Sequence, residues 1–322
     1  VIDAAADPRP WPARVAIIGA GTMGIGIAHV LAGADIDTTL ADIDAEAAAT
    51  GHARALESMA RLEEIGCAQH GAAARVDAHL SHSSTAAAAV VDAELIIEAV
   101  IERADVKREV YETIAATASP LAVIATNTSS IPIEELAPGV PSAERFVGIH
   151  WFVPPLLVPC VEVIPCSLTD PRVVTRVVTL LQSLDKVPVV IGDGPGFVAN
   201  RVQFALFREA TRIVEEGIAT AEQVDEIVRS SFGFRLPFFG PFTIADLAGL
   251  DVYADIFATL ERGLGKSFSA PTLLTEQVAA GNLGVKSGRG FRDIPAERLQ
   301  DLIDHRDRAY VALARVRGQL EE

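Results

Sequence analysis

Arg14-Val15-Ala16-Ile17-Ile18-Gly19-Ala20-Gly21-Thr22-Met23-Gly24 is the stretch on which the fold turns. The β-branched run predicts a buried strand. It opens directly into three glycines spaced G-x-G-x-x-G, behind which residues 25–31 read as a helix. Each glycine has its own physical task. Gly19 makes the tight turn, Gly21 lets the backbone approach a pyrophosphate, and Gly24 lets helix pack on strand. Thr22 and Met23 begin the helix, whose N-terminal N–H groups face the phosphates. A second strand, residues 36–41, ends at Asp42, an acid roughly 20 residues on, where the ribose hydroxyls of NAD lie. Asp42-Ile43-Asp44 offers no arginine for a 2′-phosphate, which favours NAD over NADP.

Working outward, residues 45–65 read as a long helix, 66–84 as a variable polar segment and Ala86 to Ala89 as one short helix. Strands follow at 95–100 and 121–125, with a helix at 104–118 between them. Further strands are expected at 146–150, 160–164 and 187–191, with a helix at 171–184. Strand and helix alternation of this kind predicts an α/β fold, a Rossmann-type doubly wound sheet. Gly192-Asp193-Gly194-Pro195-Gly196 breaks the pattern, and everything after it reads as helical: 197–216, 221–231, 243–262, 271–280 and a charged tail at 296–322. The expected organisation is a flexible arm at 1–12, an NAD-binding domain at 13–192 and a helical substrate and dimerisation domain at 193–322.

Chemistry is concentrated between residues 125 and 162. Asn127, Thr128, Ser129 and Ser130 follow one strand, His150 ends another, and Glu162 sits inside a third apolar run, where a carboxylate is costly without a partner. A histidine at one strand end with an acid in the next strand is a candidate base with its orienter. On these residues alone, a satisfied core histidine, a serine turn and an edge-strand glutamate fit equally well. Glu98, buried in its strand, also needs a partner. The other histidines have no motif company, and Glu63-Glu64 reads as a solvated helix face.

Half of the 322 residues are apolar and 22% are charged, an ordinary globular composition. The net charge of −16 argues against nucleic acid and anionic membrane partners. No apolar run is long enough to span a bilayer, and the first dozen residues lack the pattern of a secretory signal. Cys67, Cys160 and Cys166 have no metal-ligand spacing, so no metal site is expected. Their usage fits a reducing cytoplasm.

Taken together, the motifs resemble the NAD-dependent 3-hydroxyacyl-CoA dehydrogenase family over nearly the whole chain. The likeness rests on the glycine loop, Asn127-Thr128-Ser129-Ser130, Gly148-Ile149-His150, Val161-Glu162-Val163, Pro195-Gly196-Phe197-Val198-Ala199-Asn200-Arg201, Gly240-Pro241-Phe242 and Lys286-Ser287-Gly288-Arg289-Gly290-Phe291. The resemblance implies that His150 is the general base, that Glu162 orients it, and that Ser129 and Asn200 hydrogen-bond the reacting oxygen. It further implies cofactor contacts from Asp42, Glu102, Lys107 and Asn127, and a homodimer. Three positions depart from the acyl-CoA pattern: Val153 replaces the usual asparagine, Pro159 a lysine before the glutamate, and Ile65 a lysine suited to a CoA phosphate. Arg235, on a longer loop, with Pro154-Pro155 and Pro159, is similar to the branch of L-gulonate 3-dehydrogenase and lambda-crystallin, whose substrates are free hydroxy acids. A guanidinium there is expected to clamp a substrate carboxylate. The bacterial pyridine-aldehyde dehydrogenase branch shares His150-Trp151 and Pro154-Pro155 and is a rival for substrate, as is a CoA or carrier thioester. Lambda-crystallin also keeps open an NAD-binding structural role without turnover.

Overall fold

The structure is a computed structural model that describes residues 11–321. The arm expected at 1–12 lies, up to residue 10, outside the described residues. Its last two residues are packed rather than flexible: the Arg176 guanidinium stands 4.0 Å over the Trp11 ring, and Pro12 is buried.

The chain divides into two compact units, the second beginning at Phe207. In the first, the elements in order are β1 (Arg14–Ile18), α1 (Thr22–Ala32), β2 (Asp37–Ala41), α2 (Ala45–Glu64), α3 (Ala72–His79), β3 (Leu80–His82), α4 (Ala86–Val90), β4 (Leu95–Glu98) and α5 (Ala104–Thr117). They are followed by β5 (Val123–Thr126), α6 (Ile133–Leu136), β6 (Phe146–Trp151), β7 (Cys160–Pro165), α7 (Pro171–Ser183) and β8 (Val187–Val190). One eight-stranded sheet runs β3-β2-β1-β4-β5-β6-β7-β8. The first six strands are parallel in the Rossmann order. β7 pairs antiparallel with β6, and β8 runs parallel to β7.

Side-chain alternation covers both faces of this sheet. Val15 and Ile17 pack with α1, α2 and α7 on one side, whereas Ala16 and Ile18 pack with α5 and α6 on the other. Strands buried on both faces explain why their sequences are continuously apolar. On the second face lie Phe146, Ile164 and Phe197, and His150 and Glu162 share their strand parity. The reach of the parallel strands sets the loops after β1, β4 and β5 along one sheet edge, beside the end of β6.

The segment read as variable polar at 66–84 contains α3 and β3. Glu63 is no solvated face residue, because its carboxylate accepts the N–H groups of Gly71 at 2.7 Å and Ala73 at 2.9 Å and so caps α3. Sequence periodicity misses this because the cap comes from the preceding helix.

α8 (Ala199–Glu215) carries the division between units within its length. Residues following the break at Gly192 are tied to the first unit. Asp193 accepts the N–H groups of Ile133 and Glu134 at the start of α6, and the first turn of α8 is bonded to Glu162.

The second unit contains α9 (Ala221–Ser230), α10 (Pro241–Ala248), α11 (Leu250–Leu264), α12 (Thr272–Ala279) and α13 (Ala296–Glu321). The single helix expected at 243–262 is two, broken at Gly249, whose φ of +104° no other residue adopts cheaply. Fully buried Asp246 on α10 accepts from the N–H groups of Phe291 and Arg292. A Cβ on Gly290 would stand 2.0 Å from Asp246 Oδ1, so the Lys286 to Phe291 motif is a tight loop closed on a buried acid.

Gly24 gives the sharpest test of the sheet-to-helix turn. A Cβ there would lie 1.8 Å from the Gly19 carbonyl oxygen, a backbone atom with no room to yield. Gly24→Ala is expected to destabilise the first unit by about 1–3 kcal/mol and to weaken NAD binding. Thermal unfolding and NADH-fluorescence titration check both.

Candidate active site

The glycine loop has the features of a dinucleotide seat. Gly21 precedes α1 with no side-chain cap, and a Cβ added there would meet nothing within 4 Å. Space is therefore open beside Gly21 at the start of an uncapped helix, as phosphate binding requires. Asp42 pulls the end of β2 against this loop, its carboxylate accepting the Ala20 N–H at 2.6 Å and the Ile43 N–H at 2.7 Å. Its remaining lone pairs are available to ribose hydroxyls.

Glu98 finds the partners its burial demands. The side chain is 0% exposed and accepts from Lys107 Nζ at 2.7 Å, Thr126 Oγ1 at 2.7 Å, Tyr111 Oη at 3.0 Å and the Val100 N–H at 2.9 Å. Lys107, 1% exposed, also lies 3.3 Å from Glu102. The structure thus sets Lys107 behind Glu102, bridging two carboxylates. Its neighbourhood to the cofactor crevice runs through the second of them.

Glu102 is the hub of the serine loop. One oxygen accepts from Thr128 Oγ1 at 2.7 Å, from the N–H groups of Ser129 and Ser130 at 2.7 and 2.8 Å, and from both serine hydroxyls at 3.1 and 3.0 Å. Burial would raise its pKa, but the Thr128 hydroxyl, the Lys107 charge and the two backbone N–H groups outweigh it and hold the carboxyl at about 2. Asn200 Nδ2 donates to the Ser129 carbonyl at 2.7 Å, which brings Asn200 to the same loop. Asn127 Oδ1 accepts the Trp151 N–H at 2.9 Å and locks the loop to the end of β6.

His150 and Glu162 are register partners across the β6–β7 pair. Their side chains share one face, with His150 Nδ1 2.8 Å from Glu162 Oε2. His150 is 5% exposed and Glu162 3%. Glu162 Oε1 accepts the N–H groups of Val198 at 3.1 Å and Ala199 at 2.9 Å. An acceptor-only carboxylate makes Nδ1 the protonated nitrogen of a neutral imidazole and leaves Nε2 as its basic atom. Phe152 and Phe197 flank the ring, with centroids 4.6 and 5.7 Å away.

Residues 152–159 join the strands that carry this pair. Pattern analysis overlooked what holds them: Lys186, just before β8, donates to the carbonyls of Pro155 at 2.6 Å, Leu156 at 3.1 Å and Val158 at 3.2 Å. Burial pushes its ammonium below the ordinary lysine value. The only sequence signal was a lysine opening an apolar strand. Pro155 also packs on α1, where a Cβ on Gly26 would come within 2.5 Å of it.

Two predictions follow from these contacts. Glu102 has a depressed pKa, so its stabilising contribution is full above the ordinary glutamate range and is lost as pH falls through about 2. The stability difference between wild type and Glu102→Gln is expected to be constant near neutrality and to vanish toward that pH, as read from denaturant midpoints. Lys186→Met keeps the stem but strands three carbonyls. It is expected to lower kcat about tenfold or more while NAD affinity stays within about twofold, measured by initial rates and cofactor titration; an unchanged kcat would remove Lys186 from the site's support.

Comparison with known proteins agrees with this geometry. Residues 14–194 match the NAD binding domain of 3-hydroxyacyl-CoA dehydrogenase, and residues 196–294 match its C-terminal domain. The chain is 35% identical over 306 residues to the 5-formyl-3-hydroxy-2-methylpyridine 4-carboxylate 5-dehydrogenase of Mesorhizobium japonicum, covering 94% of this chain and 97% of that one. It is 37% identical over 281 residues to a probable 3-hydroxybutyryl-CoA dehydrogenase of Bacillus subtilis, covering 87% and 96%. Among solved structures, a 3-hydroxyacyl-CoA dehydrogenase from Archaeoglobus fulgidus superimposes with a TM-score of 0.76 at 29% identity, covering 95% and 99%. The glycine-loop seat, the resemblance of the motifs and two family matches spanning both units lead to one assignment: the chain belongs to the 3-hydroxyacyl-CoA dehydrogenase family and is an NAD-dependent dehydrogenase.

Proposed function

We propose that this enzyme oxidises the hydroxyl of a short 3-hydroxy acid bearing a free carboxylate, with His150 and Glu162 as the base. The observation that carries this reading is the 2.8 Å contact between His150 and a Glu162 whose second oxygen is already occupied by two backbone N–H groups. Nε2 of His150 takes the hydroxyl proton, and Glu162 stabilises the imidazolium that results. NAD, held at the glycine loop and Asp42, would supply the acceptor for the hydride of the alcohol carbon. The second N–H of the Asn200 amide and the Ser129 hydroxyl, once its proton turns from Glu102 to the substrate, hydrogen-bond the oxygen as it becomes a carbonyl. Phe152 and Phe197 keep water from the ring. Asp42 and the glycine loop would hold the dinucleotide, with Glu102 and Asn127 bordering its crevice and Lys107 acting through Glu102.

For the substrate, Val153 and Ile65 are both exposed where the acyl-CoA pattern has asparagine and lysine, so polar handles for a thioester and a CoA phosphate are missing. Arg235 is proposed to bind the carboxylate, which places the chain with the free-acid branch of L-gulonate 3-dehydrogenase and lambda-crystallin. A second reading, an aldehyde or alcohol on an aromatic carboxylate, is favoured by the longer alignment to the pyridine carboxylate dehydrogenase. Both substrates carry the same anionic group. We further propose a cytoplasmic homodimer, which sedimentation equilibrium checks.

The test is turnover of a panel of free 3-hydroxy acids, aromatic carboxylate aldehydes and hydroxyacyl thioesters, followed by NADH absorbance. His150→Gln is expected to lower kcat about 10²–10⁴-fold. Glu162→Gln, with only one acceptor oxygen, cannot serve both the imidazole and the Val198 and Ala199 N–H groups and is expected to fall on the order of 10²-fold. Thioesters turned over far better than free acids would overturn the substrate assignment. Full activity in His150→Gln would overturn the mechanism.

A further inference from the structure

The second unit contains a cavity of about 460 Å³ bounded by Arg235, by Ile244, Leu247 and Ala248 of α10, and by Arg306, Asp307 and Tyr310 of α13. Its charges do not balance. Arg306 is spoken for by Asp307, with Nε donating to Oδ1 at 2.8 Å. The half-buried Arg235 guanidinium has no ion pair or side-chain hydrogen bond among the described residues, and neither has the Tyr310 hydroxyl. Two guanidinium groups facing one carboxylate leave one positive charge uncompensated, which a monoanion would satisfy.

The donors are also held in place. Arg235 sits in a turn in which its N–H donates to the Phe232 carbonyl, and its own carbonyl accepts the N–H groups of Phe238 and Phe239. The Tyr310 ring is clasped edge-on by Phe234 at 5.6 Å and Phe239 at 6.3 Å, which fixes where its hydroxyl points. The three apolar residues of α10 supply a dry wall, so a planar anion can be held by forked N–H groups on one side and hydrocarbon on the other. Arg306 and Tyr310 belong to α13, which begins after residue 294, where the match to the family's C-terminal domain ends.

We infer that this cavity binds a carboxylate, with Arg235, Arg306 and Tyr310 as donors, and that α13 is the element that makes the site. The anion is either the carboxylate of the substrate or a separate small acid. The first source rests on the free-acid reading given above, whereas the site's own affinity for a carboxylate does not.

The probe is 4-fluorobenzoate, with 4-fluorobenzamide as its uncharged control, titrated into the full-length chain by ¹⁹F NMR. Wild type is expected to broaden the acid signal and not the amide. Arg306→Leu and Arg235→Leu are each expected to weaken acid binding about tenfold and Tyr310→Phe severalfold. Arg308→Leu, an equal charge change at an exposed position of α13, is expected to bind as wild type, and circular dichroism of each variant monitors the helices. Equal binding of acid and amide, or undiminished acid binding by both arginine variants, would overturn the site. A raised KM for a free hydroxy acid at constant kcat in Arg306→Leu identifies the anion as the substrate's. An unmoved KM with acid binding lost assigns it to a separate acid. Should wild type bind the probe yet oxidise no free acid, the substrate reading fails and the site stands.

Discussion

A carboxylate with no spare oxygen organises the strand ends of the first unit. Glu162 is almost wholly buried, which would be prohibitive for an isolated anion. Its two oxygens accept one imidazole N–H and two backbone N–H groups. Removing any of these donors would leave buried charge uncompensated, at a cost of about 3–5 kcal/mol where such pairs are broken. The constraint runs in both directions. The histidine tautomer depends on the acid, and the acid depends on the first turn of α8 being folded against it. The His150–Glu162 pair is therefore complete only in a chain that has already brought the residues after Gly194 to the sheet.

The same logic recurs at the neighbouring strand ends. Glu98, Lys107 and Glu102 form a relay in which the fully buried carboxylate is paired with the lysine and accepts from the tyrosine and threonine hydroxyls, and the lysine then steadies a half-exposed carboxylate that gathers the serine loop. Glu102 accepts from the backbone N–H groups of Ser129 and Ser130 as well as from their hydroxyls, so Ser129 sits on a fixed loop and not on a mobile turn. Asn200 reaches that loop through the Ser129 carbonyl. Two residues remote in sequence are thereby joined by one 2.7 Å bond.

The sheet and its glycine turn were legible in the sequence because each local signal agreed with the others: β-branched runs, glycines at fixed spacing and acids at strand ends. His150 and Glu162 were legible as a candidate pair, since a charged residue inside an apolar run demands a partner, and the antiparallel register of β6 and β7 supplies the geometry that brings them together. α3 and β3 were missed because an eight-residue helix and a three-residue strand carry too little periodicity, and because the cap, Glu63, comes from the preceding helix. Gly249 was read as part of one helix because a positive φ leaves no trace in an apolar pattern. Lys186 was invisible for a related reason: its partners are carbonyl oxygens, and every sequence has those.

Backbone acceptors also explain how the hairpin and the nucleotide-binding helix come to share one geometry. An eight-residue connection between β6 and β7 would by itself leave the strand ends free to splay, and a shift of an ångström between imidazole and carboxylate would break their bond. Lys186 gathers three of the connection's carbonyls, and Pro155 from the same connection fills the notch left by Gly26 on α1. α1 is also the helix whose N-terminus faces the phosphate seat. One side of the connection is therefore anchored to the helix that opens at the glycine loop and the other to the strands that carry His150 and Glu162, so the spacing between the two is set by packing within a single unit. That arrangement asks for glycine at position 26 and a long cation at position 186.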